Sequence, residues 1–251
     1  MASLLGEPEC IGYVNPAPGQ RAPYRLLDIL HDAVVNAWIQ AGAAPDAVIG
    51  HQAKPWNFAA LGASRGRDAK HAHSLVVSSP DPGLADVLKR FDPGAVAYAR
   101  AATGEAVDFK PATPATEADP VPPGGGALGV LLLSPLALSV AGSKPKRWHT
   151  RLDPAYLADA LNARLSRLAG RPVDLQIQPD SLYLRANPEH SVLVPFKQDR
   201  QGRISYVIAL SAPLVLAGAE ADLRFAWHAG LGEKTRNGFG CLGLAEAGVG
   251  R

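Results

Sequence analysis

The sequence predicts an α+β fold, with two βαββαβ units in tandem as the arrangement that fits. Two observations carry this. Segments with helical spacing and segments rich in strand formers are mixed in each half, with hairpins in both. Between the halves, residues 110–126 hold Pro111, Pro114, Pro120, Pro122 and Pro123 and then three glycines, a composition that interrupts regular structure. The domains are expected at 1–110 and 127–251, with 111–126 as linker. At 251 residues and 47% hydrophobic content, the chain can bury a sizeable core.

The elements follow in order. Leu26, Leu27, Leu30, Val34, Ala37 and Trp38 give residues 25–41 one apolar helical face, with Gly42 as the stop. Residues 56–62 and 73–78 are expected as strands, 82–91 as a short helix capped by Asp81, and 95–109 as a hairpin turning at Thr103-Gly104. Residues 128–133 suit a buried strand. Asp153 caps a helix carrying Leu157, Leu161, Leu165 and Leu168 and ending at Gly170. Strands are expected at 173–179, 181–186, 191–196 and 204–209, with a turn at Gln201-Gly202. A helix over 219–229 then leads into a glycine-rich loop, and 241–245 returns as a strand.

Composition limits the function. A net charge of +2 gives no whole-molecule field for nucleic acid, so any RNA site must come from local clustering. The two cysteines, Cys10 and Cys241, exclude a multi-bridge disulfide framework and an all-cysteine zinc site, and they suit a reducing cytoplasm. The N-terminal residues lack the basic and apolar regions of a signal peptide. The longest apolar run, 127–142, is broken by Ser134-Pro135 and is shorter than the roughly 20 residues a bilayer needs, so no membrane is expected. Neither paired carboxylates, nor a Gly-x-Ser-x-Gly elbow, nor His-Glu-x-x-His occurs, and His71-x-His73 leaves a zinc ligand set short. No metal or cofactor is expected.

The richest segment is 230–243, GLGEKTRNGFGCLG. Glycines admit close backbone approach, and Lys234 and Arg236 bring positive charge, a combination suited to a phosphate-bearing partner. It is not a P-loop: Glu233 precedes Lys234-Thr235, and the helix comes before the loop. A ligand-free glycine hairpin is the plain alternative.

The series Gly230, Gly232, Lys234, Thr235, Gly238, Phe239 and Gly240 after a helix resembles the glycine-rich loop of the CRISPR repeat-processing endoribonucleases of the RAMP superfamily. A histidine after the first helix, His51, followed by Lys54-Pro55-Trp56, is similar to that family's layout, and Leu133-Ser134-Pro135 is a further match. The resemblance implies two ferredoxin-like (RRM-like) domains and metal-independent cleavage of precursor CRISPR RNA by 2′-hydroxyl attack. The products would carry 2′,3′-cyclic phosphate and 5′-hydroxyl ends, and the mature guide stem-loop would be retained. It implies other CRISPR effector subunits as partners, and a non-catalytic guide-binding subunit as the alternative.

Histidine suits proton transfer near neutral pH, which makes His51 the candidate acid–base group, against a plain solvated loop histidine. Lys54 would stabilise phosphate charge, and His31 on the first helix is the competing or assisting histidine. RNA contacts are expected from the loop (Gly230, Gly232, Lys234, Thr235, Arg236, Gly238, Phe239, Gly240) and from residues 144–171. The latter hold seven basic residues, Lys144, Lys146, Arg147, Arg151, Arg164, Arg167 and Arg171, against two acidic ones. Arg164, Arg167 and Arg171 are spaced to share a helix face that could follow an RNA stem or simply be solvated. A second cluster, Arg65, Arg67, Lys70, His71 and His73, is also basic.

Overall fold

The computed structural model describes residues 11–15, 22–24, 26–50, 52–62, 70–72, 74–100, 104–110 and 112–245. The N-terminal half runs β1 (Ile11–Asn15), β2 (Ala22–Tyr24), α1 (Leu27–Gln40), the single-turn α2 (Pro45–Val48), β3 (Asn57–Leu61), β4 (Lys70–Ala72), β5 (Ser74–Ser78), α3 (Pro82–Leu88), β6 (Ala97–Arg100), β7 (Glu105–Asp108) and β8 (Thr113–Glu117). The C-terminal half runs β9 (Gly126–Leu132), α4 (Pro154–Ala169), β10 (Leu175–Pro179), α5 (Ser181–Ala186), β11 (Ser191–Gln198), β12 (Ile204–Leu210), β13 (Leu214–Gly218), α6 (Glu220–Ala229) and β14 (Leu242–Leu244).

Each half has one antiparallel four-stranded sheet, ordered β3-β5-β1-β8 and β10-β13-β9-β14. Counting only these strands, both sheets run second, third, first, fourth. A helix joins the first strand to the second (α1, α4) and the third to the fourth (α3, α6). The two-stranded pairs β2-β4, β6-β7 and β11-β12 are additions to this frame.

The capping residues act as the sequence predicts. Asp81 accepts from the Leu84 amide at 2.9 Å to start α3, and Asp153 accepts from the Ala155 amide at 2.9 Å to start α4. The other expected elements match with trimmed ends; β2, α2 and β4 are elements the sequence did not mark, and four more places differ. Residues 181–186 form a helix instead of a strand, because the Asp180 carboxylate accepts from the amides of Leu182 and Tyr183 at 2.8 and 3.0 Å and nucleates a turn. The expected linker contains β8, which pairs with β1 at the sheet edge, where Pro114 costs no ladder hydrogen bond that the sheet needs. β1 and β13 were not anticipated, although β13 shows strand alternation, with Leu214 and Leu216 buried and Val215 exposed.

The cores interlock. In β3 and β5, Phe58, Leu75 and Val77 join the N-terminal core with Leu30, Val34 and Trp38 of α1, whereas Ala59 and Val76 on the opposite face join the C-terminal core. In return, Val194, Val207 and Ala209 of the β11-β12 hairpin, and Phe239, belong to the N-terminal core. A polar knot ties the same face. The His228 carbonyl, one of the orphan acceptors at the end of α6, accepts from Asn57 Nδ2 at 2.7 Å and from Ser78 Oγ at 3.0 Å. Asn57 Nδ2 also donates to Ser78 Oγ at 2.9 Å.

The His228 ring is buried, and neither ring nitrogen has a hydrogen-bond partner among the described residues. Burial lowers its pKa to about 4, with Asp119 opposing and Arg224 adding to the shift. The folded protein therefore holds the ring neutral, while the unfolded chain protonates it near 6.5. Its contribution to stability is full above about pH 6.5 and falls between there and about pH 4, by about 1.4 kcal/mol per pH unit at most. Denaturant unfolding at pH 4 to 8 should show wild type losing more stability on acidification than His228→Leu.

Candidate RNA-binding site

The glycine-rich loop is a buried seam instead of an open cradle. Gly230, Gly232, Gly238 and Gly240 are all buried. A side chain at Gly238 (φ +82°) would meet the Phe58 ring at 3.0 Å, and one at Gly240 (φ +67°) would overlap the Leu231 carbonyl. Between these two glycines, Phe239 is fully buried against the N-terminal core, 6.2 Å from the Phe196 ring. The Ser134–Ala137 backbone holds the seam. Gly240 N donates to the Pro135 carbonyl at 3.0 Å, Glu233 N to the Ala137 carbonyl at 2.8 Å, and Cys241 N to Ser134 Oγ at 2.9 Å. The Leu133-Ser134-Pro135 motif is thus the loop's scaffold.

What remains accessible is the turn between the buried glycines, where Glu233, Lys234, Arg236 and Asn237 are half-buried. Lys234 adopts the left-handed conformation (φ 59°), the one described non-glycine residue with positive φ, and heads a 3-10 turn at Thr235–Asn237. Thr235 itself is buried. The Lys234 ammonium lies 4.3 Å from the Phe196 ring centroid. Its pKa is lowered, first by burial and then by Lys146, Arg236 and Lys197, with Glu233 opposing. Glu233 is held as the anion. Its carboxylate accepts from Lys146 Nζ at 2.5 Å, from the Ser139 amide at 3.0 Å and from the Ser139 hydroxyl, and these bonds keep its pKa below the usual range despite burial. Lys146, Lys197 and Arg236 thus act on Lys234 with one carboxylate opposing them, a balance of charge that favours a polyanion.

The other expected residues divide. Lys144, Lys146 and Arg147 are exposed on the strap between Leu138 and His149, where Lys146 lies 4.8 Å from the Trp148 ring, and Arg151 is exposed beyond it. The arginine stripe of 164–171 does not form one free face. α4 ends at Ala169 with Gly170 left-handed, so Arg171 lies beyond the helix, where it pairs with Asp222 and donates to the Ala221 carbonyl at 3.2 Å. Arg164 turns inward and donates to the Gly232 carbonyl, and burial lowers its pKa. Arg167 alone of the three is exposed without a charged partner among the described contacts.

His51 lies outside the described residues, as do Arg65, Arg67 and His73; Gly50 and Gln52 on either side of position 51 are described. Gly50 is brought to the glycine loop: the Arg236 guanidinium donates to its carbonyl. Lys54 is half-buried, with its Cε 3.8 Å from where a Gly50 side chain would begin. His31 stacks on Trp56 at 5.9 Å, and its Nδ1 is 3.0 Å from Asp32 Oδ1. The loop around position 51, α1 and the glycine loop therefore meet. Sequence reasoning missed Phe196, Glu233 as an anchor, and Asn57. Glu233 was visible as the acidic residue before Lys234-Thr235, but nothing local marks Phe196 or Asn57.

Residues 125–244 match the family model described as "CRISPR associated protein Cas6, C-terminal". Similar solved structures include "An RAMP protein binding different RNA substrates" (TM-score 0.61, 18% identity, covering 94% of this chain and 98% of that one). Another is the product of a Cas6-related gene from Pyrococcus furiosus (TM-score 0.65, 15% identity, covering 95% and 99%). A third is a "CRISPR associated protein Cas6" (TM-score 0.59, 14% identity, covering 96% and 100%). No curated protein sequence matches the chain.

If the seam requires glycine for packing, Gly240→Ala should cost about 1–2 kcal/mol of left-handed strain and a further 1–3 kcal/mol of overpacking. Gly170→Ala, with φ +67° and open space around it, should cost only the first part. Urea unfolding of the two variants makes the comparison.

Proposed function

We propose that the protein is an endoribonuclease that cuts precursor CRISPR RNA within its repeat and retains the guide stem-loop. The observation that carries this is a Cas6 C-terminal domain whose glycine-rich turn presents clustered cations beside the segment bearing His51. The repeated element and strand order supports two tandem ferredoxin-like domains, in keeping with RNA-binding relatives such as the RAMP protein and a "Cas6 … product complex" (TM-score 0.56, 15% identity, covering 94% of this chain and 99% of that one).

The chemistry needs no metal. A 2′-hydroxyl attacks the adjacent phosphorus, the P–O5′ bond breaks, and the products are a 2′,3′-cyclic phosphate and a 5′-hydroxyl. One proton must leave the 2′-oxygen and one must reach the 5′-oxygen, and His51 serves as acid or base in this exchange. Lys54 neutralises the developing charge on the phosphate. His31 supports the site through Trp56, on which it stacks. Lys234 and the exposed Lys144, Lys146 and Arg147 hold the RNA backbone. Retained guide RNA would place the protein with other CRISPR effector subunits.

The test is cleavage of a labelled repeat RNA in EDTA, comparing wild type, His51→Ala, His31→Ala and a 2′-deoxy substrate. Cleavage by wild type, abolished by the 2′-deoxy and reduced about 10²- to 10⁴-fold in His51→Ala, is the expected outcome. Tight binding without cleavage would instead make the protein a guide-holding subunit, and neither binding nor cleavage would remove the RNA function.

A further inference from the structure

Arg236 carries a positive charge in the glycine-rich turn, and on sequence it belongs with the phosphate contacts. Its geometry gives it another task. The guanidinium reaches across to the N-terminal half and donates to the carbonyl of Gly50, 186 positions away. That carbonyl belongs to the peptide bond leading into position 51. The side chain is half-buried against the seam, and burial lowers its pKa.

The segment it grips is already closed at its base. Trp56, fully buried, donates its indole N–H to the Val48 carbonyl at 3.2 Å, and the Trp56 amide donates to the Lys54 carbonyl at 2.9 Å. Ile49 N donates to the Pro45 carbonyl at 2.8 Å. These bonds fix the two ends of the 48–56 loop but leave its crest to other restraints. Arg236 supplies one at Gly50. The turn that bears Arg236 is itself rigidly seated, with Thr235 buried, Gly238 against Phe58 and Phe239 in the core. The same turn presents Lys234 among the cation cluster. One 3-10 turn thus joins the RNA-facing cluster to the crest of the histidine loop.

We propose that Arg236 is a positioning residue for His51, setting the loop crest through the Gly50 carbonyl and so linking RNA engagement at the glycine turn to proton transfer. This rests on the assignment of His51 as the acid–base group. A donor in a fixed fork suits a single carbonyl held at constant geometry, and displacement of a catalytic group by about 1 Å costs on the order of 10²-fold in rate.

Single-turnover cleavage at saturating repeat RNA, together with Kd for the 2′-deoxy RNA, separates positioning from binding. Arg236→Ala should lower the cleavage rate constant about 10- to 100-fold while Kd changes less than about threefold, and Arg236→Lys should recover part of the rate. Lys234→Ala should weaken Kd by about tenfold or more and flatten its salt dependence by about one unit of slope. A Kd for Arg236→Ala weakened tenfold or more, with a normal saturated rate, would make Arg236 a phosphate contact and overturn the proposal. So would an unchanged rate and Kd. Hydrogen exchange of the RNA-free protein reads the tether without activity: faster exchange at residues 50–54 in Arg236→Ala, with α1 and β3 unchanged, supports it, and unchanged exchange refutes it. Wild type that fails to cleave, or His51→Ala that cleaves normally, counts against the proposed function itself and is distinguishable from both.

Discussion

The insertion of Phe239 into the N-terminal core is the constraint on which the rest of the structure depends. A ring can be delivered there from the C-terminal half only if the backbone on either side lies flush against its surroundings. Gly238 meets the Phe58 ring and Gly240 the Leu231 carbonyl with no room for a side chain. The knuckle fixes how the halves meet near the site, and it sets the turn carrying Lys234 and Arg236 beside the loop that leads into position 51.

The interface surrounding this knuckle is stabilised as a core is, not as a surface contact. The β3-β5 face buries Ala59 and Val76 against the C-terminal half, and the β11-β12 hairpin reciprocates with Val194 and Val207. Burying the end of α6 there would strand its last carbonyls, at a cost of about 1–3 kcal/mol for each unsatisfied group. Asn57 and Ser78 provide the missing donors for His228. Two sheets with the same strand order have thus become a single packed unit around a largely apolar seam, tied by polar bonds at Asn57, Ser78 and His228 and at Arg236 and Gly50.

The electrostatics of the site follow from this packing. Net charge is low in the chain as a whole, yet the seam brings Lys146, Lys197 and Arg236 close enough to Lys234 to lower its pKa, with Glu233 opposing. These cations come from three separate stretches of sequence: the strap after β9, the β11 bulge, and the turn, where Lys234 and Arg236 are separated by a buried threonine. Glu233 supplies a counter-charge to Lys146, and Ser139 and Lys146 hold its carboxylate in place.

Much was legible in the sequence because it rests on local physics. Helix periodicity and the caps at Asp81 and Asp153 located α1, α3 and α4, and the spacing of Gly230, Gly232, Gly238 and Gly240 marked the loop, which lies within the stretch that matches the Cas6 C-terminal model. The errors lie where a local signal was ambiguous or outweighed. The prolines at 111–123 suggested a linker, but Pro114 is tolerated in an edge strand; 181–186 lacks a decisive period, and Asp180 made it a helix. The roles of the individual side chains were decided only by tertiary structure. The glycines and arginines that the sequence grouped as one RNA-facing set are divided by burial: the glycines pack the seam, Arg164 and Arg171 bond within the chain, and Arg236 reaches Gly50. Residue type determines what a group is able to do, whereas the partner it finds depends on contacts made across more than a hundred residues of chain, which no local pattern records.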